Sequence, residues 1–590
     1  MKNFTKVLLA LLLALSVAGC SAPADKPTEN TPKYTEGTWS SEVDAMKGKM
    51  TVTVTTTTDA ITAVEVEHVD TPTIATTAID RITTAIVEKQ TLAIDNVSGA
   101  TVTSMAVKRG AEEALKLAGA NVESLKIAAD KVIVEKENET ADIVIVGAGG
   151  AGLSAAIAAK NINPELNIIV LEKLAYIGGS TRVSGGVMWM RGTEYNTAAG
   201  IDFDPEYLIE FMEWRSEVEV NRPYLLNLGE QASKFANYLL ENGIPLDTST
   251  NSLGHSESKL FSFSPANSSG GNGGAQIADY LYSHAVELGV DVRVDSKVTS
   301  LIVEEGTVKG VNIEGIDSTY SIEAAKTILA TGGFTRNEEL IKVYAPEYTN
   351  NIPFTGAGST GDGITMTEEL DTVVVGTDMM DLRGMNHNLG YYGSIGGLVN
   401  HPSVIVNKEG VRFMNEKMYY SEIGIEINRQ TDKTVYGVVD SQSTRIADLD
   451  QAVELGYAYK AETLEELADL AGVNKDAFLN TIKVNNETKA SGADAEFGTP
   501  NAKMVSIEVA PYYIVPIRPL FIGSIPGLKV TADAEVVNSS DAVIENLYAC
   551  GELTYGNLFS KFYPASGTGV SGAVYTGAVA GEAAAAALTK

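Results

Sequence analysis

The chain has 590 residues and carries 44 Lys plus Arg against 76 Asp plus Glu, a formal net charge of −32. That balance leaves no basic footprint for neutralising phosphates, so no nucleic-acid partner is expected, and the charge is spread along the chain as a solubility feature. At this length roughly three or four domains are expected, and the two cysteines, Cys20 and Cys550, offer no disulfide framework and no metal ligand set.

Residues 1–19 read as an export signal, with basic Lys2 and Lys6, an apolar run from Val7 to Val17 and small residues before Cys20. The run is too short for a spanning helix. Val17-Ala18-Gly19-Cys20 resembles the lipobox of bacterial lipoproteins, which implies that Cys20 is the lipid-attachment residue and that the body is anchored to the outer face of the cytoplasmic membrane. Residues 20–35 are polar and proline-containing, as a flexible tether is. With Cys20 acylated, no intramolecular disulfide remains, and Cys550 in NLYACGEL reads as a small buried side chain.

Residues 36–131 form a first, α+β module. KMTVTVTTTTDAITAVEVEHV alternates about a turn near Asp59, as a hairpin does, a helix is expected over TAIDRITTAIVEKQ, and AVKRGAEEALKLAG closes the module as an amphipathic helix. Between the two helices stands Asp95-Asn96-Val97-Ser98-Gly99-Ala100-Thr101. Read locally, Ser98 or Thr101 could simply cap a helix. The string also resembles the attachment motif of the FMN-binding domain in sodium-pumping quinone reductases and extracellular flavin reductases. That resemblance implies FMN joined covalently to Thr101 by a flavin transferase, with Asp95 as the upstream acid. Covalent attachment suits an exported protein, which would lose a dissociating cofactor by diffusion.

VIVEKENET, residues 132–140, reads as a charged connector. At Ala141 a second unit begins with a continuously apolar strand of the buried parallel type, Ile143 to Val146. Gly147, Gly149 and Gly152 follow at G-x-G-x-x-G spacing, which permits a tight turn, close approach of a pyrophosphate, and helix-on-strand packing. Glu172, ending the next strand IIVLEK, stands where an acid takes the ribose hydroxyls of a dinucleotide.

GGSTRVSGG, AKTILATGGF, GSTGDG and LYACGEL come after it in that order. With the glycine turn they resemble the flavoprotein family of fumarate reductase, flavocytochrome c, urocanate reductase and ketosteroid dehydrogenase. The implied fold class is α/β: a Rossmann-like FAD-binding domain over 141–380 and 519–590, with an α+β capping domain inserted at 381–518, all preceded by the small α+β FMN-binding domain. By the same resemblance non-covalent FAD would contact Glu172, Ser180, Thr181, Gly186, Val298, Asp362, Glu552, Gly569 and Val570.

Fumarate enzymes of this family hold their substrate with a clamp of arginines and histidines. That clamp is missing here: the proton-donor segment reads Lys417-Met418-Tyr419-Tyr420-Ser421-Glu422, and the C-terminal arginine turn reads Phe562-Tyr563-Pro564-Ala565-Ser566-Gly567. Losing two bidentate contacts makes small dicarboxylates poor substrates. Tyr563 with Gly567 is similar instead to the Y-P-G-P-G segment of ketosteroid dehydrogenases, which implies a tyrosine hydroxyl and a glycine N–H polarising a substrate carbonyl. Tyr420, or its neighbour Tyr419, is then the expected proton donor, and Arg383, His387 and Arg412 are further polar candidates near the lid.

The expected function is a cell-surface reductase. Electrons from a membrane or extracellular donor pass through FMN to FAD and reduce a small-molecule acceptor with an activated C=C bond, of enone or aryl acrylate type. A ketosteroid-type dehydrogenase running in the oxidative direction, or an electron-carrier lipoprotein with no small substrate of its own, would carry the same motifs.

Overall fold

The computed structural model describes residues 33–46, 48–70, 74–128, 132–198, 200, 204–216, 220–253, 261–265, 273–385, 395, 397–401 and 403–589. The export signal, Cys20 and His387 lie outside the described residues, as do the side chains of Arg383 and Tyr420.

The first module is a three-stranded antiparallel sheet, β1 (Gly37–Asp44), β2 (Lys49–Thr56) and β3 (Ile61–Glu67), covered by α1 (Ile74–Lys89) and α2 (Thr101–Leu117). Strand β1 is an element the sequence reading missed: GTWSSEVD shows only a weak alternation, and pairing with β2 supplies the rest. On β2 the alternating Met50, Val52 and Val54 are buried and meet Ala78, Ile82 and Ile86 of α1 and Val107, Ala111 and Ala114 of α2. Helix α2 begins at Thr101, five residues before the expected start, directly after the attachment string.

The charged connector is not free. Val134–Glu135 pairs in parallel with Ser318–Thr319, and β4 begins at Glu139 and runs to Val146. Backbone bonds from the Val134 N–H to the Asp317 carbonyl at 2.8 Å and from the Lys136 N–H to the Thr319 carbonyl at 2.9 Å hold the first, and Glu139 receives a bidentate pair from Arg293 at 2.8 Å for both bonds.

Beyond β4 come α3 (Gly150–Ile162), β5 (Ile168–Leu171), β6 (Asp291–Arg293), β7 (Lys297–Glu304), β8 (Thr307–Glu314) and β9 (Ser318–Leu329). They form one sheet in the order β6-β5-β4-β9-β8-β7. Strands β6, β5, β4 and β9 are parallel, so the carboxyl ends of β4, β5 and β9 open on one edge, where open α/β sheets bind ligands.

The chain then leaves for an inserted cap. Its sheet contains β10 (Met379–Met385), β11 (Val404–Asn407), β12 (Val435–Asp440) and β13 (Tyr512–Ser524), with α4 (Tyr420–Asn428) running between β11 and β12. Two buried clusters, one around Ile405, Ile427 and Val515, the other around Val406, Phe478 and Ile514, give the cap its own core. Antiparallel β10 and β13 pair from Met379 with Ser524 to Met385 with Ile517, so they are the two tethers to the larger unit. These strands extend past the expected limits of 381 and 518.

The chain returns through β14 (Val543–Ala549), parallel to β9, and ends in α5 (Thr568–Leu588). Helix α5 lies against α3 at glycine contacts: a Cβ on Gly577 or Gly581 would fall 2.2 Å from the Ala151 carbonyl or 2.1 Å from that of Ala155. Close helix approach of this kind is available only to residues without a side chain.

Candidate active site

At the β4–α3 junction the three glycines divide their work. Gly147 adopts φ +109°, and a Cβ there would lie 2.4 Å from the Ala330 carbonyl oxygen. A Cβ on Gly152 would lie 1.9 Å from the Gly147 carbonyl oxygen, so Gly152 serves packing and does not line the cavity. Gly149 is extended and its missing Cβ points into open space.

That space is a narrow cavity of about 100 Å³. Gly147, Gly149, Glu172, Ser180, Val298, Asp362, Glu552 and Gly569 of the expected set line it. Glu172 is 7 % exposed, and its two oxygens accept the Ala148 N–H at 3.1 Å and the Leu174 N–H at 2.9 Å. Burial pushes its carboxyl up, against these backbone hydrogen bonds. Each carboxylate oxygen keeps a second acceptor direction for a hydroxyl. A narrow slot walled by glycine backbone at a helix N-terminus, with an acceptor on its floor, fits the pyrophosphate and ribose of a dinucleotide.

Lys173 was not singled out in the sequence. Its ammonium contacts Thr360 at 2.5 Å and Asp362 at 2.7 Å and forms part of the same wall. Its position next to Glu172 was the only available signal.

A second cavity, of about 490 Å³, adjoins the first; Ser180, Glu552, Tyr555 and Gly569 line both. Thr181, Gly186, Tyr563, Gly567 and Val570 of the expected residues lie here. Phe354, Met380, Asn400 and Ile522 complete the wall from the cap tethers and neighbouring loops. None carries a motif, because each is brought in by tertiary pairing. Among the described lining residues there is no Arg, Lys or His.

Tyr563 is buried, and its hydroxyl oxygen accepts the Gly569 N–H at 2.8 Å. Gly567, at φ +93°, is the N-cap of α5, so the loop from Tyr563 to Gly569 wraps the helix start. Burial pushes the Tyr563 hydroxyl up to about 12, partly offset by hydrogen bonds from the Gly569 and Gly567 N–H groups. The phenol therefore keeps its proton across the working pH range. Burial also pushes the Glu552 carboxyl up to about 7, even though the Ser524 N–H reaches it at 2.7 Å and the Ser524 hydroxyl at 3.0 Å.

Two candidates from the lid fall differently. Tyr420 opens α4, and the next residue, Ser421, donates to the Tyr563 carbonyl at 3.5 Å, so the head of this cap helix sits beside the Tyr563 loop. Tyr419 is the N-cap of α4, with its N–H on the Glu422 carboxylate at 3.0 Å. Arg412, by contrast, is not a site residue. It is buried in the cap, paired with Glu416 at 2.8 Å and Asp494 at 2.9 Å and stacked 4.8 Å from Phe497. Its Nε and Nη2 are taken up by Glu416, Asp494 and Thr499, and it lines neither cavity.

Comparison with known proteins gives two families in tandem. The FAD binding domain family matches residues 142–570 and the FMN-binding domain family matches residues 46–116. Urocanate reductase of Eggerthella lenta is 29 % identical, covering 91 % of this chain and 91 % of that one. NADH:acrylate oxidoreductase of Vibrio harveyi is 28 % identical over 90 % of this chain, which spans 60 % of that protein's length. Among solved structures, the open conformation of a flavocytochrome c3 fumarate reductase superposes with a TM-score of 0.63 at 28 % identity, covering 76 % of this chain and 78 % of that one. A 3-ketosteroid delta1-dehydrogenase from Sterolibacterium denitrificans superposes with a TM-score of 0.67 at 20 % identity, covering 76 % of this chain and all of that one, a likeness of fold alone.

Proposed function

We propose, for a chain that belongs to the FAD binding domain family and carries an FMN-binding domain ahead of it, a reductase of an activated C=C bond conjugated to a carbonyl. The observation that carries this reading is the second cavity, with a tyrosine–glycine pair on its wall and no cationic side chain among its described lining residues. Glu552, the one carboxyl among the described lining residues, offers a dicarboxylate no cationic partner. On this reading an uncharged enone is the preferred acceptor, an aryl acrylate comes next and fumarate last.

Bound FAD supplies the hydride that such a reduction needs at the β-carbon. The residues of this chain do the rest. Tyr563 accepts from the Gly569 and Gly567 N–H groups and thereby holds its phenol in one orientation, while its own hydrogen serves the substrate carbonyl. That donor stabilises the enolate oxygen that develops as the β-carbon is reduced. Tyr420, at the head of α4, delivers a proton to the α-carbon when the cap closes. Phe354, Met380 and Ile522 keep water from the reacting carbons.

Electron supply and location belong to the same proposal. Thr101 would hold the FMN through which electrons from a membrane or extracellular donor enter, and lipid on Cys20 holds the protein at the outer face of the cytoplasmic membrane. Thr101→Ala should leave FAD in place and stop donor-driven turnover while dye-driven reduction continues.

The test is anaerobic reoxidation of the reduced protein by cyclic enones, aryl acrylates, urocanate and fumarate, followed optically. Rapid reoxidation by an enone and none by fumarate is expected. Fumarate reacting as fast as the best enone would overturn the reading.

A further inference from the structure

The attachment string does not hang in solvent. Gly99 adopts φ +82°, its carbonyl accepts the Tyr176 hydroxyl at 3.3 Å, and a Cβ there would lie 2.6 Å from that hydroxyl oxygen. Leu174, Ala175 and Tyr176 of the larger unit are buried in the core of the first module. Arg81 of α1 crosses the same seam, at 2.6 Å from Asp295 and 3.5 Å from the Ala175 carbonyl. The first module is therefore seated in one orientation, on the residues that directly follow Glu172 and Lys173.

Beside this seam lies a third, open cavity of about 870 Å³. Ser98 and Gly99 form its lip on one side, and Lys173, Leu174, Thr299 and Ala357 belong to the other. Lys173, Leu174, Val298 and Asp362 line both this cavity and the dinucleotide slot. Thr101 is exposed, heads the 17-residue α2, and follows an N-cap, Ala100, that makes no side-chain capping bond. A phosphoester on Thr101 would satisfy those helix N–H groups. It would also start within about 7 Å of chain from Gly99.

We propose that this interdomain cavity is the seat of the isoalloxazine ring of the FMN on Thr101, shared between the two domains. The inference rests on the reading of Thr101 as the flavin attachment residue. Charge selects the ring over any phosphate: Lys173 is already paired with Asp362, and the described lining holds Glu368 and Glu369 as well as Lys297, so its balance does not favour an anion. An uncharged planar group with hydrogen-bonding edges matches it, and the phosphate stays at α2. The seat brings the two cofactors to opposite sides of one thin wall, the Lys173–Leu174 segment.

Thiol labelling tests this without recourse to activity. In a Cys20→Ser protein, Cys550 is buried and inert, so Thr299→Cys presents a single exposed thiol on β7. Maleimide should label it at least tenfold more slowly when Thr101 carries FMN than in the Thr101→Ala background. Glu304→Cys, at the end of the same strand and off the cavity, should label equally in both. Equal rates at position 299 overturn the seat. Hydrogen exchange over residues 297–303 in proteins with native Thr299, with and without Thr101→Ala, gives a second reading: protection that appears only with FMN is expected, and its absence overturns the proposal. Intact mass is measured first. Absence of FMN mass sinks the attachment reading itself, whereas FMN mass with an unprotected strand sinks only the seat.

Discussion

The Tyr563 hydroxyl accepts the backbone N–H of Gly569 at 2.8 Å, a bond that fixes the phenol from the start of α5. Tyr563→Phe removes the hydroxyl and keeps the ring. FAD should remain bound, KM should change little, and the rate of flavin reoxidation by an enone should fall roughly 10²- to 10³-fold, the usual loss for one oxyanion donor. Because burial holds this phenol up at about 12, it stays protonated as pH rises, and the rate should show no limb from its ionisation below about pH 11. Single-turnover kinetics between pH 6 and 10 check both; an unchanged rate in the variant would return Tyr563 to a packing role.

Gly149 and Gly152 are three residues apart and should fail in opposite ways. Gly149 is extended with open space at its missing Cβ, so Gly149→Ala should fold with apo stability within about 1 kcal/mol of the native chain. Its methyl would stand in the dinucleotide slot, and FAD affinity should drop by roughly a hundredfold or more, about 3 kcal/mol. Gly152→Ala places a methyl 1.9 Å from a carbonyl oxygen and should cost folding itself. Thermal melts of apo protein with FAD titration separate the two.

What could be read from the chain and what could not divides along contact order. The glycine turn, Glu172 and the Tyr563–Gly567 loop carry their signal in short stretches of chain, and the structure puts Gly147, Gly149, Glu172, Tyr563 and Gly567 on the two adjoining cavities. Strand 134–135 escaped notice because its partner, Ser318–Thr319, is far along the chain and its own composition is that of a linker. Arg412 was set among the lid candidates for a similar reason. Its second carboxylate, Asp494, stands 82 residues on, and without that partner a cationic residue near a lid looks available. Phe354, Met380 and Ile522 are ordinary apolar residues that become substrate-facing only through the pairing of β10 with β13.

The Arg412 cluster makes its own prediction about the cap. Its side chain is 8 % exposed, those of Glu416 and Asp494 7 % and 1 %. Burial pushes the Asp494 carboxyl up, yet hydrogen bonds from Arg412, the Phe497 N–H and Thr499 outweigh it and bring it down to about 2. Arg412→Ala strands two buried carboxylates and should destabilise the cap by about 3–5 kcal/mol. Hydrogen exchange should accelerate in α4 and across 475–503, with the dinucleotide slot unaffected. Loss of activity with unchanged cap protection would instead restore Arg412 to the site.

Glu552 sets a pH dependence in the FAD-free protein. Its carboxyl is raised from 4.5 to about 7 by burial, so between those values the folded chain holds a proton that the unfolded chain releases. Where the folded state binds more protons, stability falls as pH rises. The penalty is absent below about pH 4.5, grows through the window and is complete above about pH 7, at about 3 kcal/mol. Glu552→Gln removes the titration and keeps an oxygen for the Ser524 N–H and hydroxyl. The apo variant should therefore match the native chain near pH 4 to within a constant offset and gain on it steadily up to about pH 7. Urea unfolding of both proteins at pH 4.5, 6 and 8 measures that difference. A stability gap that stays flat with pH would mean that Glu552 is ionised in the fold at no cost, and that its surroundings compensate the charge far better than the Ser524 hydrogen bonds alone provide.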